Sequence, residues 1–224
     1  MNVHGHIFFE NVFQNHVDSG CNFIKASQSR LRLRQCINDQ REVQEALQTY
    51  KTHIEKIILY VEKHSQQPLH YQPYFSWNVG DKIHKSTCWY FESLMVKTCL
   101  AQEHEKVALE HIRENQFKEA NTHIKKAMEA HNGVLEHELV QWSWKEPGQQ
   151  FYCVLPQWHR SRVAVLEARS QFCVYQKAMD EEKINPKTMA KYANKIERTC
   201  VEGLCHWMTS DVAPDCQMAR AMVV

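Results

Sequence analysis

The stretch Lys85 to Trp142 decides the reading of the fold: KSTCWYFESLMVKTCLAQEHEKVALEHIRENQFKEANTHIKKAMEAHNGVLEHELVQW. Phe91, Leu94, Met95, Cys99, Ala108, Leu109 and Ile112 recur at helical spacing, so a helix is expected from about Lys85 to Arg113. Glu114-Asn115-Gln116 reads as a turn. A second helix follows, carrying Phe117, Ala120, Ile124, Ala127, Met128, Leu135, Leu139 and Trp142, and Pro147-Gly148 closes it. Two long helices joined by three residues form an antiparallel hairpin.

The pattern continues in both directions. Downstream, Trp158, Val165, Leu166, Phe172, Cys173 and Met179 predict a helix from near Pro156 to Glu182. Asn185-Pro186 then restarts a helix, because asparagine caps and proline suits the first helical position. Met189, Ala193, Ile196, Cys200 and Leu204 carry it to about Trp207, and Ser210-Asp211 is a cap for a last helix over Pro214 to Val223. Upstream, Val43, Ala46, Leu47, Tyr50, Ile54, Ile57, Ile58 and Val61 form one helical face, with Asn38 or Asp39 as N-cap and a break at Ser65 to Pro73. Tyr74-Phe75-Ser76-Trp77 reads as a short aromatic connector. The chain divides into a loosely structured start at 1–27, a first long helix within 28–64, and a helical core at 74–205, all in one domain over 1–224.

Composition supports a helical chain. Glycine and proline together number 12 of 224 residues, which leaves few turns for short strands or glycine-rich phosphate loops. A chain of this length buries about 70% of its extended surface, enough for a core without disulfides or metal. The 27 basic and 26 acidic residues give a net charge of +1, which lacks the basic excess of a nucleic-acid binder. Nine cysteines, an odd number without a CxxC pair, are expected to be free thiols in a reducing, cytoplasmic setting. The N-terminal Met-Asn-Val-His-Gly-His has no signal-peptide character, and the most apolar window, Ile54 to Val61, contains Glu55 and Lys56, so no direct membrane insertion is expected.

Chemistry-bearing motifs are sparse. GxSxG, Walker A and GxGxxG are absent, and no cysteine lies in the context of a nucleophile with its base. Cys200, Cys205 and His206 form C-x4-C-H with no second ligand pair, and His104 and His111 lie seven apart without HExxH, so neither metal nor cofactor is expected. The Arg30-Arg32-Arg34 run reads as a solvated loop or helix start, with contact to phosphates or an acidic lipid surface as the alternative. The expectation is a protein without catalysis.

From Tyr74 onward the chain resembles the BRO-type domain of ALIX-like ESCRT adaptors. The resemblance is carried, in order, by the Tyr74-Phe75-Ser76-Trp77 connector and by Tyr90-Phe91-Glu92 with its early acidic residue. The small-residue run Ala127, Ala130 and Gly133 follows, then Gln176-Lys177-Ala178-Met179 and Lys191-Tyr192-Ala193-Asn194. It covers residues 74 to 205, with Cys99 where the family usually has asparagine, and the chain reads as a trimmed form of that domain. The resemblance implies an all-α, elongated, tetratricopeptide-like solenoid of helix hairpins. It also implies a non-catalytic adaptor that holds the amphipathic C-terminal helix of an ESCRT-III subunit, peripheral to endosomal membranes. Carried over by the two lysine–alanine anchors, the partner patch falls on Val174, Thr188 and Tyr192. The alternative is a structural component of a larger assembly, such as a minor virion or capsid-associated protein, touching its neighbours through Trp142, Trp144, Phe151 and Trp158.

Overall fold

The computed structural model of the chain describes residues 1–14, 16, 21–36, 40–66, 68–145, 151–180 and 185–208. Its centre is the helix α4 (Trp89–Arg113), in the element order β1 (Asn2–His4), α1 (Phe9–Val12), α2 (Phe23–Gln35), α3 (Gln40–Lys63), β2 (Phe75–Val79), β3 (Lys82–Ser86), α4. After α4 come α5 (Phe117–Gly133), a π-helical turn (Val134–Glu138), α6 (Leu139–Lys145), a 3-10 turn (Tyr152–Val154), α7 (Pro156–Asp180) and α8 (Pro186–Met208). The helices pack side by side, so the chain is mostly helical as its composition predicts.

Three expectations are corrected. The aromatic connector is a strand: β2 lies between β1 and β3 in an antiparallel sheet, with Trp77 opposite Val3 on one side and His84 on the other. The fold is therefore helical with a small sheet rather than all-α. Gly80 and Asp81 make the two-residue turn, and Gly80 holds φ +60°, which a hairpin turn of this length demands and a side chain resists. The single long helix expected within 28–64 is replaced by α2 and α3, since α2 ends at Gln35 with Cys36 as its C-cap. The α4 helix starts at Trp89 because Lys85 and Ser86 belong to β3.

Two hydrophobic clusters share α4. The larger holds Phe9, Val12 and Phe13 against Tyr50, Ile54 and Ile57 of α3, Phe75 and Trp77 of β2, and Phe91, Leu94 and Met95 of α4. The smaller joins Ala108 of α4 to Ala120, Ile124 and Ala127 of α5 and to Leu166 and Cys173 of α7. Three of its six members are alanines, so the helix axes can approach closely and the side chains add little bulk. The turn between α4 and α5 falls where the sequence puts it, with Asn115 at φ 57°, a left-handed conformation that asparagine tolerates. The π-helical turn inserts one extra residue into the helix expected to run from Phe117 to Trp142. It brings Glu138 inward, where Ser93 Oγ donates to its Oε1 at 2.9 Å and Lys97 Nζ at 2.5 Å.

Candidate functional site

The α7–α8 hairpin carries all three residues of the expected partner patch. Its second helix begins as the sequence dictates: the Thr188 N–H donates to Asn185 Oδ1 at 2.9 Å, and Pro186 takes the first helical position, where no N–H is needed. Further along, Gly203 packs on α7, and a Cβ there would lie 3.1 Å from the Ala164 Cβ and 3.5 Å from the Ser161 carbonyl. The antiparallel register that matches Gly203 with Ala164 brings Val174 level with Tyr192. Thr188 lies one turn nearer the closed end. Val174 is 37% exposed; Phe172 and Met179 are exposed to a similar degree on the other side of α7, since two residues turn a helix by about 200°. Thr188 and Tyr192 are half-buried. Phe172 and Val174 thus flank the buried Cys173, which turns into the smaller cluster, while Thr188 and Tyr192 share one face of α8.

The residues weighed for metal chemistry do not converge. His104 Nδ1 lies 3.1 Å from His123 Nδ1, while His111 Nδ1 pairs with Gln116 Oε1 at 2.5 Å. Burial, with His123 and Lys126 adding to it, lowers His104 to about 4. Cys200 is exposed, and the side chains of Cys205 and His206 lie outside the described residues. Among the described residues no group of three or more histidine, cysteine or acidic side chains is placed to hold a metal ion. Cys21, Cys36, Cys88, Cys99, Cys153, Cys173 and Cys200 form no disulfide.

The aromatic residues expected as assembly contacts are interior. Trp142, Phe151 and Trp158 are buried, with Phe151 stacked on His84 at 3.9 Å, so none of the three is free to touch a neighbour. The side chain of Trp144 lies outside the described residues. An aromatic cleft of about 470 Å³ opens elsewhere, lined by Phe13, His16, Tyr60, His64, Leu69 and Trp89, with His16 Nδ1 2.9 Å from the Tyr60 hydroxyl.

Two buried polar centres escape a reading of the sequence. The first surrounds Glu92, which is fully buried. Its Oε1 accepts from Arg30 Nε and from the Tyr50 hydroxyl, both at 2.8 Å, and its Oε2 accepts from Trp77 Nε1 at 2.5 Å. Arg30 also donates to the Gly5 carbonyl at 2.9 Å. Arg30 is 1% exposed, which corrects its reading as part of a solvated run. Burial works against its charge, and the Glu92 carboxylate beside it more than offsets this and holds the guanidinium above its ordinary range. Arg32 and Arg34 fit the sequence reading, since both are exposed, and Arg32 pairs with Glu45 at 3.4 Å.

The second centre surrounds Glu105. His131 Nε2 lies 3.0 Å from Glu105 Oε1, His131 Nδ1 lies 2.9 Å from His159 Nδ1, and His159 Nε2 lies 2.8 Å from the Cys153 carbonyl. Arg162 donates to Glu105 Oε1 from Nε at 3.1 Å and pairs with Oε2 as well, and Arg169 Nη1 stands 3.8 Å from Oε2. Both histidines are completely buried, and burial pushes each ring toward the neutral form. Burial and the neighbouring Arg169 lower Arg162 to about 10.

No helix among the described residues is long and apolar enough to cross a membrane. Comparison of the chain with protein-family models, curated proteins and solved structures gives no match.

Proposed function

We propose that the chain is a non-catalytic helical adaptor whose α7–α8 hairpin docks an amphipathic helix of an ESCRT-III-type partner. In this reading the α4–α5 and α7–α8 hairpins are units of a BRO-like, tetratricopeptide-like stack that works in the cytoplasm at the surface of endosomal membranes. The observation that carries the reading is the exposure of the apolar Val174 on α7, level along the hairpin with the half-buried Tyr192 of α8. Val174 and Tyr192 would serve as the anchors against which a partner helix lays its own apolar face. Thr188 is the weakest member, because its hydroxyl loses hydration on docking and returns no apolar contact.

The test is binding of a fluorescent C-terminal helix from an ESCRT-III subunit, followed by anisotropy, with a thermal melt of each variant. Tyr192→Asp should abolish binding and leave the melt little changed, because the tyrosine is half-buried at the edge of the hairpin. Thr188→Leu should tighten binding about fivefold, the effect of roughly 1 kcal/mol from an added apolar contact. No binding by the native chain, together with unfolding of Tyr192→Asp, would sink the adaptor reading. Recovery of the native chain only within a large particle would favour the assembly component.

A further inference from the structure

The chain of contacts through the Glu105 centre sets a count of protons that the rings alone cannot meet. A carbonyl and a carboxylate only accept hydrogen bonds, so the Cys153 carbonyl requires an N–H on His159 Nε2 and Glu105 requires one on His131 Nε2. The contact between the two Nδ1 atoms, at 2.9 Å, requires a third. Two neutral imidazoles carry two N–H groups between them. At neutral charge one of the three contacts therefore sets a lone pair against a lone pair.

The Glu105 end is where that mismatch falls. Its carboxylate already receives Arg162 on both oxygens, whereas no hydrogen bond other than that of His159 Nε2 reaches the Cys153 carbonyl within the described hydrogen bonds. With His159 Nε2–H donating to the carbonyl and His131 Nδ1–H donating to His159 Nδ1, the bare nitrogen is His131 Nε2, 3.0 Å from Glu105 Oε1. One added proton there completes all three hydrogen bonds. A second added proton would place two N–H groups face to face at the Nδ1 atoms.

We propose that the His131–His159 pair is a one-proton switch at the junction of α4, α5 and α7: acidification places a single proton on the pair and turns the His131–Glu105 contact into a buried ion pair. The proton comes from solvent, no covalent bond changes, and the two rings hold it jointly through the Nδ1 contact.

The charged and titratable surroundings set the pH range. From α4 comes Glu105, which favours uptake. From α7 come Arg162 and Arg169, which oppose it along with burial. The 3-10 turn contributes Tyr152 and the Cys153 thiol, both pushed up by burial and so uncharged. On α8, Cys200 is the titratable group felt by Arg169. Trp158 closes the site with its ring edge-on to His131 at 5.5 Å. Uptake therefore falls below the ordinary histidine value of about 6.5, and the pair titrates with one macroscopic midpoint.

The experiment is a nitrogen-15 NMR titration of the native chain labelled at histidine, from pH 8 to pH 4.5, repeated on Glu105→Gln. In the native chain the His131 and His159 ring nitrogens should move together, with one midpoint below 6.5 and a summed change equal to one ring. In Glu105→Gln the amide donates to His131 Nε2 and completes the three hydrogen bonds without an extra proton, so the shared titration should vanish. Independent titration of both rings overturns the proposal, as do two rings that stay neutral to pH 4.5 or nitrogen shifts that put a ring carbon at the His131–His159 contact. Should Glu105→Gln fail to fold, the proton count in the native chain decides alone.

Discussion

Replacing Arg30 by methionine should destabilise the chain far more than the same change at Arg32, two residues along one helix. Arg30→Met removes the guanidinium that donates to Glu92 Oε1 and to the Gly5 carbonyl, and it leaves the Glu92 carboxylate fully buried without a counter-charge. Tyr50 and Trp77 still donate to Glu92, so the residual cost is the uncompensated charge. Removing one partner of a buried pair costs about 3–5 kcal/mol. At about 2–4 °C per kcal/mol for a chain of this size, the melting temperature should fall by roughly 6–20 °C. Arg32→Met breaks an exposed pair at 3.4 Å and should cost about 1 kcal/mol or less.

The decisive comparison adds Glu92→Gln to Arg30→Met. Glutamine removes the stranded charge, and its amide oxygen still accepts from Tyr50 or from Trp77, though not from both. The double variant should therefore recover about 1–3 kcal/mol relative to Arg30→Met, the cost of an unsatisfied buried group setting what is not recovered. Denaturant unfolding followed by far-ultraviolet circular dichroism measures all four proteins. A double variant less stable than Arg30→Met would refute the reasoning, because charge compensation would then not be what Arg30 supplies.

Gly203→Val should cost about 1–3 kcal/mol by forcing α8 off Ala164 and the Ser161 carbonyl, and should weaken peptide binding by moving Tyr192 relative to Val174; calorimetry and the anisotropy assay check both parts. His104 has its folded value lowered to about 4, mainly by burial, so its contribution to stability is present above about pH 6.5 and is lost as pH falls from there toward 4. His104→Gln should flatten the stability–pH curve in that window by less than about 1.4 kcal/mol per pH unit, the limit for one proton, because the ring is partly open to water.

The hairpins were legible because their buried faces are apolar at a spacing of three and four, and because Asn115 and Asn185-Pro186 sit at the positions where backbone geometry requires such residues. The α2 helix was not legible, since the face it buries is Ala26, Ser27, Ser29, Arg30 and Leu33, and no hydropathy pattern marks serine and arginine as interior. The β2 strand hid for the opposite reason. Phe75, Ser76, Trp77 and Val79 are all buried, so alternation between an apolar and a polar face never appears, and the Gly80-Asp81 pair was the one available signal of a hairpin. At the candidate site, the closed end of α7–α8 followed from its caps, but the exposure of Val174 depends on which side of α7 the smaller cluster claims. The two polar centres join residues far apart in sequence, Arg30 with Glu92 and Glu105 with His131 and His159, and local periodicity carries no information about such pairs.

Both centres belong to α4, and this accounts for the weak one-sidedness of that helix. Glu92 and Glu105 lie thirteen residues apart, about 20 Å along the axis. Each is buried, and each joins several elements through hydrogen bonds: the N-terminal strand region, α2, α3 and β2 at Glu92, and α5 and α7 at Glu105. Over Trp89 to Ala101, where no residue is exposed, the helix has no solvent stripe, and only its second half carries exposed positions such as Lys106 and Glu110. A buried carboxylate at each end supplies what apolar packing does not, since a hydrogen-bonded charge accepts only the partners whose donors reach it. Apolar side chains along α4 make the interior favourable, and Glu92 and Glu105 decide which elements occupy it.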